Sequence, residues 1–550
     1  MRTVVVDGGI TFSGYDQVLG SNLFRKIIGE FLEELQERSD PLLKAVEVFR
    51  KKDGYDLDSL VNAITLLTVR HLSELEGPVW NFLRSNASIF VDFVESLYNF
   101  WRSKHRFMVR IRPFHRDPRR RVSEEYALME NGERFETILR EMYRSVLRNT
   151  KVERLKVLRQ LPSGVQAMFL AMNGDERTYG APLVWSVILK PPVIFYTRSN
   201  KRRGVFPVKE GEVSLDASDG WLAFPIHVGK YRFLVLVEQD RLCHGAGLSN
   251  LFELAEPDGE FEAVVVFGYP ASKLEEDERN GVVFQGERYV GVVSDLPHTD
   301  YFGYMKKMIL TVHNLMVIDE GRLPVHGALA KIDVGGKEFA VMFVGDSGAG
   351  KSETLEALRR MGARIETIVD DMASLDITEE GVVSYGTEVG AFVRLDDLPP
   401  GYAYSTMDRS IFMNPDQTNA RVIVPFGNYE KIVTPTRIDL FLYANNYEPS
   451  DEKIRVFKNV DEALEVFSAG KRMAKGTTSE VGITSTYFAN PFGAVQRREK
   501  HKEIARRFLE EMFRKGVVVG EIRTMLGIPG YERRGPDEAA KALMDFLRTL

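Results

Sequence analysis

Residues 339–352 read Phe-Ala-Val-Met-Phe-Val-Gly-Asp-Ser-Gly-Ala-Gly-Lys-Ser. The first six form a short apolar run of strand character, and Glu353 to Met361 beyond the stretch have helical character. Between them Gly345, Asp346, Ser347, Gly348, Ala349, Gly350, Lys351 and Ser352 complete the phosphate-binding pattern GxxxxGK[ST] in a strand–loop–helix setting. Glycines let backbone N–H groups close around a polyphosphate, and the helix N-terminus favours the anion. Lys351 brings a point charge to the outer phosphates, and the Ser352 hydroxyl can ligate Mg²⁺. A nucleoside triphosphate, ATP or another, is the expected ligand.

The whole chain sets the bounds for this reading. Its 550 residues exceed one ordinary core, so two to four domains are expected. A hydrophobic share of 44% and a charged share of 28% describe a soluble globular protein. A formal net charge of −6 gives no global reason to expect nucleic acid or an anionic membrane as a partner. No segment reads as a membrane span or a signal peptide, and the single cysteine, Cys243, excludes an intrachain disulfide and a multi-cysteine zinc site. The cytoplasm is the expected compartment. His244 beside Cys243 reads as structural.

Three zones are expected: 1–150 mainly helical and of unknown role, 151–320 a mixed α/β lobe on the substrate side, and 321–550 a nucleotide-binding lobe. Helical periodicity marks Leu23–Arg38, Leu57–Leu75 and Val79–Trp101, and nine Lys/Arg residues between Arg102 and Arg121 read as a solvated basic face. Leu183–Leu189, Val193–Tyr196, Tyr231–Val237, Ala263–Phe267 and Arg288–Val293 read as strands. The third zone adds the strands Ala420–Val424 and Ile438–Tyr443 and closes with helices over Arg497–Lys515 and Pro536–Leu550. The fold class is α/β.

Around the loop stand Tyr301-Phe-Gly-Tyr-Met-Lys-Lys307, then Val325-His326-Gly-Ala-Leu-Ala330, and downstream Ile368-Val369-Asp370-Asp371. A carboxylate ending a strand after a phosphate loop is where such folds hold the metal that bridges the phosphates. Two adjacent Asp allow one direct and one water-mediated metal contact, or one ligand and one base.

The block from Arg322 to Asp376 resembles the phosphoenolpyruvate carboxykinase and HPr kinase superfamily. The loop and His326-Gly-Ala-Leu are closer to the HPr kinase version. Tyr301-x-Gly-x-Met-Lys-Lys307 is similar to the carboxykinase YxGEMKK motif, Glu388 and Arg394 to a glutamate and phosphate-binding lysine six apart, and Asn419-Ala-Arg421 to NTR. Gly482-Ile-Thr484 through Asn490-Pro-Phe-Gly493 is similar to the adenine-pocket segment. The likeness covers about residues 300–520, and the helical N-terminal zone matches nothing in it.

The resemblance implies a mixed-sheet lobe and a phosphate-loop catalytic lobe. It further implies Mn²⁺ held by Lys307, His326 and Asp371, and Mg²⁺ held by Ser352 and, through water, by Asp370. Lys351, Arg394 and Arg421 would neutralise the transferring phosphoryl, and Ile483 would meet the base. Tyr301 and Ser347 would lie at the substrate, with Arg198 in Thr197-Arg198-Ser199-Asn200-Lys201 on its carboxylate and Arg202 or Arg203 as rivals. Departures stand at Gly327, Tyr304, Met372 and Val481, and they leave the phosphoryl acceptor open. The expected activity is ATP-dependent conversion of oxaloacetate to phosphoenolpyruvate, CO₂ and ADP, a lyase reaction. Its rivals are a kinase for a small-molecule hydroxyl or protein serine, and a nucleotide-sensing regulator. Oligomeric state stays open.

Overall fold

The computed structural model describes residues 2–6, 10–12, 21–111 apart from 68, 69 and 71, then 113, 124–130, 155–160 and 167–550 apart from 202–203, 216, 218–219, 396–397, 399–409 and 475–481. Arg119–Arg121, Arg202, Arg203 and Val481 lie outside the described residues, as do the side chains of 102–110. The chain divides into two compact units, residues 1–153 with 188–191, and the remainder.

In the first unit the helices Asn22–Glu37, Leu57–Leu67, Pro78–Ser85 and Ala87–Lys104 bury Phe24, Ile28, Phe31, Leu60, Leu83, Phe93 and Leu97. The expected long helix over 79–101 breaks at Asn86, whose side chain bonds back to the Phe82 carbonyl. This zone is not purely helical. The strands Arg2–Val6, Ile10–Phe12, His105–Ile111 and Glu124–Glu130 pair in one sheet, so the basic stretch begins at a helix end and continues as a strand.

The second unit is mixed α/β and holds the site. Its first sheet runs in the order 208–210, 282–285, 289–294, 263–269, 231–238, 221–228, with both parallel and antiparallel neighbours. Helix α1 (Phe302–Asp319) is buried along nearly its whole length, its polar residues Lys306, Lys307, His313 and Asn314 included. It leads into the hairpin β1 (Leu323–Val334) and β2 (Lys337–Val344). After the loop come α2 (Lys351–Arg360), the long strand β3 (Arg364–Thr378) and β4 (Gly381–Gly386).

A separate small sheet contains β5 (Gly390–Arg394), β6 (Ile411–Met413) and β7 (Arg421–Pro425), with Val193–Phe195 on its edge. The main sheet then resumes with β8 (Leu440–Asn445), α3 (Val460–Ala469), a ribbon of β9 (Lys471–Met473) and β10 (Ile483–Ser485), α4 (Arg498–Arg514), β11 (Val518–Arg523) and α5 (Arg534–Leu547).

The main sheet reads β4-β3-β1-β2-β8-β11, with Thr436–Arg437 beyond β4 and Ile454–Val456 beyond β11. Its core follows from strand alternation. Ala328, Ala330, Val341, Phe343 and Leu442 face α2 and α5 through Leu355, Leu358 and Leu543. Leu329, Met342, Val344 and Phe441 face α3 and α4 through Phe467 and Phe508. Helices on both faces leave the strand ends open, and the glycine-rich loop 345–350 leaves the sheet at one of them. No helix among the described residues is long and apolar enough to cross a membrane.

Candidate functional site

The loop after β2 is shaped by its neighbours. The Gly345 N–H donates to the His326 carbonyl at 3.0 Å, so the loop starts against β1. Gly348 and Gly350 take φ of +81° and +95°, where a side chain is strained. A Cβ at Gly350 would also lie 2.5 Å from Thr524 Oγ1, which itself donates to the Ala349 carbonyl at 2.7 Å. Lys351 is buried at the head of α2, its Nζ 2.5 Å from the Gly345 carbonyl and 3.2 Å from that of Asp346. Burial pushes its pKa down, against the opposing pull of Asp371, Asp346 and Asp370. Ser347 and Ser352 are exposed, on the loop and the first turn of α2.

Beside the loop the register of β1 against β3 sets Gly327 opposite Asp371 and Ala328 opposite Asp370. Asp371 has φ +115°, and its two oxygens meet His326 Nε2 at 2.7 Å and Lys306 Nζ at 2.5 Å. The other His326 nitrogen, Nδ1, bonds the Ala489 carbonyl at 2.6 Å. Lys306 also pairs with buried Glu388 at 2.9 Å. Burial opposes ionisation of Asp371, but Lys306 and His326 outweigh it and hold the carboxyl well below the usual range. Burial likewise opposes charge on Lys306, yet Asp371 and Glu388 raise its pKa. Burial, with the charge on Asp371 adding to it, pushes Glu388 up to about 8, the attraction of Lys306 notwithstanding. Half-buried Asp370 is also shifted up, by burial and then by Asp371. Burial and pairing together thus favour charge on Lys306 and Asp371 and oppose it on Glu388.

The structure does not bring Lys307 to His326 and Asp371. The Lys307 Nζ bonds the Gly204 carbonyl and lies 5.0 Å from the centre of the Phe206 ring, while Lys306 reaches Asp371. Consecutive residues on a helix point about 100° apart, so only one of the two lysines can face β3. Arg394 and Arg421 stand directly opposite each other across β5 and β7. Arg421 and Lys306 both lie over the Phe392 ring, at 5.4 and 5.8 Å, and Tyr301 packs 6.1 Å from the same ring. The three thus share one wall.

Arg198 is tied to Asp300, the residue before Tyr301, at 2.8 Å. Ile483 is 57% exposed on β10, opposite Met473 of β9. That ribbon is joined to the loop twice: Arg472 meets Asp346 at 2.8 Å, and the Asn446 amide bonds both the Gly348 carbonyl at 2.9 Å and the Met473 carbonyl at 3.0 Å.

His326, Asp370, Asp371 and exposed Ser352 are of residue types that ligate hard and borderline divalent cations, although both His326 nitrogens are engaged, by Ala489 and by Asp371. Among the described residues, the carboxylates of Glu275, Asp277 and Glu278 lie close enough together to share one ion, and Lys209 already bridges them. The sequence reading noted Glu388 only through the resemblance, and it passed over Lys306, Arg472 and the His244–Asp300 contact. No family model matches the sequence, and no curated protein matches it.

Proposed function

We propose that the chain is a nucleotide- and divalent-metal-dependent phosphotransferase of carboxykinase type, with oxaloacetate plus ATP giving phosphoenolpyruvate, CO₂ and ADP as its closest concrete reaction. One observation carries this reading. The His326 backbone anchors the phosphate loop, while its ring holds Asp371. A terminal phosphate on the loop is then adjacent to imidazole and carboxylate donors.

His326 and Asp371 would hold Mn²⁺, and Ser352 with Asp370 would hold Mg²⁺ on the nucleotide. When bound, these ions neutralise phosphate charge and polarise the acceptor oxygen. The protein's own groups carry the other tasks. Lys306 keeps Asp371 ionised, Lys351 leaves its two loop carbonyls for the phosphates, and Arg394 and Arg421 offset charge on the moving phosphoryl. Arg198 holds the carboxylate of the keto acid as the bond to CO₂ breaks. The electron pair left behind forms the enolate, whose oxygen takes the γ-phosphoryl as ADP departs.

A second reading, a kinase for a small-molecule hydroxyl or protein serine, is favoured by Asp370. A carboxyl whose proton affinity is raised next to a phosphate loop suits a general base.

Phosphorus NMR with ATP, Mg²⁺, Mn²⁺ and oxaloacetate tests both. Phosphoenolpyruvate growing with ADP, and absent in Lys351→Ala, is the expected result. ATP consumed only with hydroxyl acceptors selects the second reading. ATP intact under every condition overturns the phosphotransferase and leaves a nucleotide sensor.

A further inference from the structure

Asp300 lies among three cationic or imidazole side chains of the second unit, Arg198 from one segment and Arg241 and His244 from another. Its Oδ1 meets His244 Nε2 at 2.8 Å, and its Oδ2 accepts from both the backbone N–H of Arg198 at 3.2 Å and the Nε of Arg198 at 2.8 Å. Arg241 adds its charge from a fixed position, bonded to Thr299 Oγ1 at 3.3 Å and the Leu296 carbonyl at 2.9 Å. His244 is fully buried against the rings of Phe195, Phe267 and Phe302. Its Nδ1 has no hydrogen-bond partner, so Asp300 is the sole polar group that this ring serves among the described residues. A buried imidazole with one nitrogen unsatisfied is poor packing material, and an apolar residue would fill the pocket better. Its purpose lies in the carboxylate it orients.

Arg198 shows what that carboxylate orients in turn. Backbone and side chain of one residue converge on a single oxygen, which freezes the arginine's rotamer. Its side chain is nevertheless 51% exposed, and its bond to Asp300 runs through Nε, with no hydrogen bond from a terminal nitrogen to a described residue. A guanidinium fixed at Nε and open at its fork matches a carboxylate in two-point contact.

We propose that Asp300, itself oriented by His244, is a positioning residue that aims the Arg198 fork at a substrate carboxylate. This rests on the carboxykinase reading, which assigns that carboxylate to Arg198. Asp300 also immediately precedes Tyr301, the N-cap of α1, and Lys306 follows about 9 Å further along the chain axis. One carboxylate thereby registers the substrate arginine against the helix that supplies the metal-side lysine, at no entropic cost on binding.

The test is a titration of oxaloacetate, in the presence of Mn²⁺ and a non-hydrolysable ATP analogue, into wild type, Asp300→Asn, His244→Gln, Arg198→Ala and the Arg198→Ala/Asp300→Asn double variant. Asp300→Asn is expected to weaken oxaloacetate by at least about tenfold, with the analogue's own affinity unchanged. His244→Gln should give a smaller loss in the same direction, and in the Arg198→Ala background Asp300→Asn should have no further effect. Additive losses, or equal losses in nucleotide affinity, would show a structural role and overturn the proposal. Absence of oxaloacetate binding to wild type overturns it as well. ATP consumption with hydroxyl acceptors would then still stand as evidence for phosphoryl transfer, so the two readings fail separately. Should Asp300→Asn not fold, His244→Gln and the half-exposed Arg198→Ala carry the same comparison.

Discussion

His326–Asp371 and His244–Asp300 are the same two residue types at nearly the same separation, 2.7 and 2.8 Å, in the same unit of the chain, and they are built for opposite ends. His326 is held at both nitrogens, whereas His244 is held at one. Asp371 sits at a strained φ with its side chain 29% exposed and a second carboxylate on either side, at Asp370 and Glu388. Asp300 is 10% exposed and surrounded by positive charge. The first pair is an open edge, flanked by two further carboxyls whose ionisation burial opposes and a bound cation would favour. The second is a closed clamp whose charge is already matched. Identical pairwise geometry therefore says little about role, and the ionisable groups around the pair say more.

The largest expected effect breaks the open edge. Asp371→Asn should reduce Mn²⁺-dependent turnover by at least about a hundredfold, whereas Asp300→Asn should act on oxaloacetate affinity and spare the metal dependence. Steady-state kinetics at saturating and limiting Mn²⁺ separate the two, and equal metal dependence in both variants would erase the distinction drawn above.

Next in size is the lysine pair. Lys306→Ala strands two buried carboxyls and should cost about 3 kcal/mol of unfolding free energy as well as activity. Lys307→Ala loses one carbonyl contact and its packing on Phe206, about 1 kcal/mol, with turnover preserved. Urea unfolding and ATP turnover on both variants check this, and loss of turnover in Lys307→Ala would reverse the assignment.

The two sites should also respond oppositely to pH. Asp300 is held below its ordinary 3.8, burial notwithstanding, chiefly by His244, so the native state binds fewer protons than the unfolded chain in acid. Its stabilisation is complete above the unfolded value and is lost as pH falls through the folded one. Glu388, at about 8 against an ordinary 4.5, keeps a proton that the unfolded chain has released, so its contribution falls as pH rises between those values. Unfolding free energies measured against Asp300→Asn and Glu388→Gln should therefore diverge with opposite slopes in those two windows. Parallel slopes would mean that Glu388 is ionised in the native state.

The smallest effect concerns the ribbon. Ile483→Ala removes an exposed side chain and should leave stability untouched, but weaken ATP roughly fivefold, about 1 kcal/mol, if the base lies on it. Unchanged affinity in an equilibrium titration would take Ile483 out of the nucleotide site.

Local signals were readable in the residues alone. The strand–loop–helix at 339–361 needs only neighbours in sequence, and so does the Asp370-Asp371 strand. The choice between Lys306 and Lys307 depends on which face of α1 packs inward, and a helix buried on every side gives no periodicity to read. The Arg198–Asp300 and His244–Asp300 contacts join positions 102 and 56 residues apart, so no spacing rule could announce them. A lone Cys243-His244 step reads as structural, because the partner that gives His244 its task, Asp300, lies elsewhere in the chain. In the N-terminal zone the helical period of 87–101 was plain, but the sheet built from 2–6, 10–12, 105–111 and 124–130 joins segments too far apart for period alone to connect.

The contact between Thr524 and the loop has a consequence for how the protein is made. Gly350 curves against Thr524, and the Thr524 hydroxyl secures the Ala349 carbonyl, while β2 reaches β11 only through β8. Residue 524 leaves the ribosome some 170 residues after the loop, which at ordinary elongation rates is about ten seconds or more. Throughout that interval a nascent chain carries the glycine-rich loop without the wall that gives it its curvature.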